Sequence, residues 1–169
     1  LVDPPSLLDR PGVASEAHLM GYSNGLGGSA TGRVQVAPSA VPGLAVQIEG
    51  GGRRVRAPST PDYPLDNAGE AGWSAGSAVT YRRGPGTYQL SFRHFETKLG
   101  VCNCLRVESA DDFNAQLRRN RPLGAELYTS AFAIERPYQA VAHDLALARA
   151  RWSTTSVGSL AATYALQFD

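Results

Sequence analysis

The segment from Gly158 to Phe168 alternates strictly. Gly158, Leu160, Ala162, Tyr164, Leu166 and Phe168 fall on one side of an extended chain, and Ser159, Ala161, Thr163, Ala165 and Gln167 on the other. A period of two is the signature of a β-strand with unlike faces. The same period recurs upstream. Tyr88, Leu90 and Phe92 oppose Thr87, Gln89, Ser91 and Arg93; Trp73, Val79 and Tyr81 oppose Ser74, Thr80 and Arg82. Leu44, Val46 and Ile48 oppose Ala45, Gln47 and Glu49, and Val34 and Val36 oppose Arg33 and Gln35. A weaker strand runs from Ala14 to Ser23. The stretch Tyr138 to Trp152 is rich in helix formers. Pro137 ahead of it and the polar turn Ser153 to Ser156 behind it nevertheless read as one arm of a hairpin with the last strand. The expectation is an all-β chain, an antiparallel up-and-down meander of about seven strands. One short helix is expected over 110–119, where Ser109 and Asp112 resemble a capping box.

With 169 residues, the chain has the length of one domain. Sixteen Lys and Arg against fifteen Asp and Glu give a net charge of +1 with no basic stripe, which argues against nucleic acid as a partner. Apolar runs are only a few residues long, far short of the roughly 20 a spanning helix requires; a membrane β-barrel remains open. The first residues, Leu1-Val2-Asp3-Pro4-Pro5, lack an initiating Met and a signal-like apolar stretch, as expected of a processed chain or a piece of a longer one.

The connections are sorted by length. In a meander, alternate connections share a rim. Those at 37–43, 83–86 and 153–156 are short; those at 51–70 and 96–136 are long, and only 24–28 is short on the long-loop rim. Short turns on one rim and long loops on the other are the habit of outer-membrane barrels. Trp73, Tyr81, Tyr88, Phe92, Phe95, Trp152, Tyr164 and Phe168 suit aromatic girdles at the two interfaces, although a sandwich core would use them equally well.

Few residues invite chemistry. Gly50-Gly51-Gly52 ahead of Arg53, Arg54 and Arg56 offers backbone donors and guanidinium groups to an anion, the competing reading being an extracellular loop with no ligand. Cys102 and Cys104 flank Asn103 and are a candidate disulfide, either with each other or with another chain. A metal or redox site would need a second ligand pair, which is missing. His18, His94 and His143 form no triad by sequence, because Asp144 follows His143 directly and points to the opposite face of a strand. No catalysis, metal or cofactor is expected.

Several stretches carry a family likeness. They are GYSNGLGG at 21–28, Ala57-Pro58 with Asp62-Tyr63 and Asn67, Phe92-Arg93-His94-Phe95 leading to Leu99-Gly100-Val101, and Glu135-Arg136-Pro137-Tyr138-Gln139 followed by His143-Asp144. In this order and spacing, from about Ala14 to Asp169, the chain resembles the early barrel strands of TonB-dependent outer-membrane receptors. The resemblance implies a wall segment of a barrel that imports a ferric siderophore or similar scarce nutrient across a Gram-negative outer membrane, with membrane lipid as a partner. The family's plug and energy-coupling box have no counterpart here, so TonB would be engaged only through regions outside this sequence.

Seven strands also leave two free edges, which neither hydrocarbon nor water tolerates well. The remaining strands of a larger barrel would satisfy them. So would identical copies, making the chain a receptor-derived fragment that assembles into an extracellular fibre or oligomer. An overlooked strand in 99–107 or 126–134 would instead close a small eight-stranded barrel.

Overall fold

The computed structural model describes residues 7–102, 107–154 and 158–169. Seven antiparallel strands form one sheet in simple sequential order: β1 (Gly12–Tyr22), β2 (Gly27–Ala37), β3 (Leu44–Val55), β4 (Glu70–Arg83), β5 (Gly86–Gly100), β6 (Tyr138–Thr154) and β7 (Gly158–Phe168). The sheet is open, with β1 and β7 paired on one side only. The ambiguous Ala-rich stretch is strand throughout: β6 pairs along β5 from Gly100↔Tyr138 to Gly86↔Trp152. Cross-strand pairing with two flanking strands overrides its helix propensity.

Several boundaries differ from the sequence reading. Gly50, Gly51 and Gly52 do not open a loop at 51; β3 continues through them to Val55, paired with β2 and β4 on either side. A triple glycine reads as a break, yet the strand runs on, and at the middle glycine the neighbouring strand comes too close for a side chain. A Cβ on Gly51 would lie 2.6 Å from the Thr31 methyl and 2.8 Å from the Ala30 carbonyl oxygen. The second long connection likewise begins after Gly100 rather than at 96, so the two loops occupy 56–69 and 101–137. The helix α1 (Ala110–Leu117) starts as expected, with the Asp112 N–H donating to Ser109 Oγ at 3.1 Å, but ends short of 119. No eighth strand exists among the described residues; 126–134 contains only the end of a 3-10 turn at Ala125–Leu127.

Register sorts the side chains into two faces. One carries Glu16, His18, Arg33, Gln35, Gln47, Glu49, Thr80, Gln89, Arg93 and Arg149; the other carries Val34, Val46, Ile48, Val79, Leu90, Phe92, Tyr164 and Phe168. Burial runs opposite to that of a water-soluble sandwich. Gln47 and Thr80 are 1% exposed, whereas Ile48 is 65%, Leu90 61% and Phe168 61% exposed. A sheet shields one face with its own side chains when it curls toward that face, as a barrel wall does. The polar face is therefore the inner one. The small apolar core lies there as well, where Leu7 and Leu8 pack on Ala37, Ala45 and Ala78.

Candidate functional site

On the inner face, polar side chains are linked across strands. Gln35 Nε2 donates to Gln47 Oε1 at 2.6 Å, and Gln47 Nε2 donates to Glu49 Oε2 at 2.8 Å. Arg93 Nε lies 3.2 Å from Glu49 Oε1, and Glu16 pairs with both Arg33 and His18. Glu16, Arg33, Glu49 and Arg93 stand in one row of the sheet, with Gly76 between the last two. These groups, with His18 and Ser74, line a cavity of about 440 Å³. The surface is mixed in charge and wettable, as the wall of a polar lumen must be.

The outer face is organised in bands. The row containing Trp152 meets β5 at Gly86, and the row containing Trp73 meets it at Glu96. That interval rises roughly 33 Å along the strand, which becomes about 25 Å at the usual tilt, the height of a lipid-facing belt. Between the two rows the outer face carries Leu44, Val46, Ile48, Val79, Tyr88, Leu90, Phe92, Tyr164 and Leu166 among alanines and glycines. Apart from tyrosines, His94 and Asp144 are the only ionisable residues there among those described, and they pair directly across strands, Nδ1 to Oδ1 at 2.8 Å. The Trp73 ring covers His94 at 4.3 Å between centroids, while its Nε1 donates to Glu96 at 2.9 Å. At the opposite row Trp152 Nε1 donates to the Tyr88 hydroxyl at 3.2 Å, the two rings meeting edge to face. Aromatics with a polar handle at both margins of an apolar band are what an interface selects. Among the described residues no helix is long and apolar enough to cross a membrane.

At the long-loop rim the connections are joined to one another. Asn67, 8% exposed, donates through Nδ2 to the carbonyls of Val101, Glu135 and Pro137 at 3.2, 3.0 and 2.8 Å. Its Oδ1 accepts the Glu135 N–H at 2.7 Å. Asn24 exchanges two bonds with the backbone of Ser59, and Asp66 accepts the Thr129 N–H at 3.2 Å. Gly100 is required beneath this knot, because a Cβ there would sit 1.8 Å from the Asn67 carbonyl oxygen.

The expected anion cluster is divided. Arg53 is on the inner face, where it pairs with Glu70 at 3.0 Å and lies over the Tyr22 ring. Arg54 is on the outer face, and it and Arg56 lie over the Phe132 ring at 5.7 and 5.6 Å. The three do not converge, since neighbours along a strand point to opposite sides. Cys102 is disulfide-bonded, and Cys104 lies outside the described residues. All three histidines have carboxylate partners: His18 with Glu16, His94 with Asp144 and His143 with Asp169. The His94–Asp144 pair was hidden in the sequence, because it depends on the register of β5 and β6 across the long loop. No grouping of three His, Cys, Asp or Glu suited to a metal occurs among the described residues. Compared with protein-family models, with curated proteins and with solved structures, the chain matches none.

Proposed function

We propose that this chain is a stretch of wall from an outer-membrane β-barrel receptor of the TonB-dependent type. Its apolar face lies against lipid, its polar face lines the interior, and its joined loops form the outward rim that meets the cargo. The observation that carries this reading is the inverted sidedness: an exposed apolar belt about one bilayer core in height, bounded by Trp73 and Trp152, backed by a sheltered polar face. The named family and its cargo, a ferric siderophore or similar scarce nutrient, rest on the sequence resemblance. The odd strand count fits the same reading. In a seven-stranded meander β1 and β7 run in the same direction, so they cannot close on each other antiparallel. The strands before and after them in a longer meander run the opposite way and would satisfy both edges.

The test is insertion. The chain, refolded in the presence of vesicles, should partition with lipid and protect β2–β6 from added protease while the loops at 56–69 and 101–137 are cut. Recovery of a soluble, folded monomer in plain buffer contradicts the proposal.

A second reading is favoured by the edges alone. β1 and β7 are exposed along nearly their whole length, and two copies related by a two-fold axis could pair β1 with β1 and β7 with β7, both antiparallel. Ordered rings or fibres in electron micrographs of lipid-free material would support a structural polymer over a membrane wall.

A further inference from the structure

The later half of the loop at 101–137 is bonded to the sheet and to the other long loop through Thr129, Ser130, Ile134 and Glu135. The helix α1 has no such tie among the described residues; its side-chain bonds are those of its own cap at Ser109 and Asp112. None of its residues is buried, and Phe113 and Leu117 are 48% and 68% exposed. Ala110, Phe113 and Leu117 share one face at helical spacing, so the helix presents an apolar stripe that the fold leaves uncovered. Charge is sorted by end. Glu108, Asp111 and Asp112 stand at the start, and Arg118, Arg119 and Arg121 follow the last helical residue. These three arginines have no carboxylate partner among the described residues, whereas Arg33, Arg53, Arg82 and Arg93 are all paired with acids. Acids first and bases last also suit the dipole of a single helix, but that accounts for the polarity and not for the open stripe.

The order of these residues is self-complementary. When two copies of α1 lie antiparallel about a two-fold axis level with Ala115, Phe113 of each comes level with Leu117 of the other, Asp112 with Arg118, and Asp111 with Arg119. The apolar stripes then cover each other and ends of opposite sign meet twice, as an isologous contact requires. A parallel pair would bring like charges together at both ends. We propose that α1 is a self-association surface that pairs antiparallel with α1 of a second copy of this chain. Two turns of helix are only about 12 Å long, so the contact is small and weak, with a Kd on the order of 100 µM, and it strengthens where copies are confined together. The surface lies on the β5–β6 connection and not on the β1 or β7 edge, so it depends on neither the wall reading nor the edge-paired polymer.

The experiment measures energy transfer between donor-labelled and acceptor-labelled full chains over a concentration series. The chain is carried in whichever medium it folds in, neutral detergent micelles or plain buffer, so failure of the wall reading does not decide this one. Transfer should rise with concentration in the unmodified chain, and Leu117→Asp should abolish it. The acid-end variant Glu108→Lys, Asp111→Lys and the base-end variant Arg119→Glu, Arg121→Glu leave the Ser109–Asp112 cap intact. Each alone should associate about tenfold more weakly, the effect of a few exposed charge pairs turned repulsive. An equal mixture of the two should associate at least as well as the unmodified chain, because each end then meets its opposite. Mixing the acid-end variant with Arg10→Glu, Arg83→Glu, which carries the same net charge as the base-end variant but at the short-turn rim, should not restore transfer. Restoration by that control as well would reduce the effect to overall charge and overturn the proposal. So would transfer that no helix variant changes, which would assign association to the sheet edges, or loss in both variants without recovery in their mixture, which would mean a damaged helix. Absence of transfer in the unmodified chain at every concentration would overturn it in favour of a different partner for this face.

Discussion

The side chain of Asn67 meets four backbone groups from a loop that is distant in sequence, and its own backbone is left-handed at φ 56°. Asn tolerates that conformation better than other non-glycine residues. Substituting Asn67→Ala strands buried carbonyls and the Glu135 N–H, and should cost the loop base about 3 kcal/mol. Limited proteolysis reads this directly: cleavage within 101–137 should accelerate while the strands stay protected, and an unchanged cleavage rate would contradict the role given to this residue. A second residue-scale prediction concerns pH. Burial, with the charge of Asp66 and the neighbouring Tyr63 and Glu126, holds the Tyr128 phenol above its ordinary range. The folded loop thus favours the neutral phenol. Its contribution to stability is complete below the ordinary pKa of about 10 and is lost as pH rises through the elevated value. In an alkaline titration followed by phenolate absorbance, Tyr128→Phe should remove a component that ionises above the ordinary phenol range. Identical curves would contradict the assignment. Neither residue stood out functionally in the sequence. Asn67 was visible only as part of a family-like series, because its partners at Val101, Glu135 and Pro137 are brought to it by two loops whose course alternation does not encode.

Elements were far more legible. β6 is read from its flanking Pro137 and polar turn and β1 only as a weaker strand, but where large and polar residues alternate, in β2 to β5 and β7, alternation places the strand and sorts its faces as the register does. It failed where the pattern is made of small residues. Gly50 to Gly52 have no side chains to alternate, so β3 appeared to end early, and Arg53 and Arg54 appeared to share a loop when they stand on opposite faces. The sidedness of these elements yields a paired prediction. Ile48→Lys places an ammonium in the middle of the apolar belt and should destabilise the chain in lipid by about 2–4 kcal/mol. Thr31→Lys, on the inner face beside Glu16 and His18, should cost little. Denaturant titrations of the two variants in vesicles compare them directly; equal losses would mean that the faces do not see different solvents.

For the molecule as a whole, the open sheet is the governing fact. A seven-stranded meander exposes two edges that run in the same direction, and each requires an antiparallel partner from outside the described residues. This much was legible from strand count alone. The sheltering of the polar face was not, because alternation alone does not say which face is covered, and only in the folded sheet is Gln47 sheltered while Ile48 is open. The protein contains two tryptophans, Trp73 and Trp152, and both stand on the outer face at the margins of the belt. They are native probes of what that face touches. Fluorescence of the chain reconstituted in vesicles with lipids brominated at defined depths should be quenched, most strongly by bromines near the headgroups and more weakly by bromines near the bilayer centre, with aqueous iodide having little effect. Strong iodide quenching with no response to brominated lipid would place that face in water, and a lipid-facing wall could not be maintained.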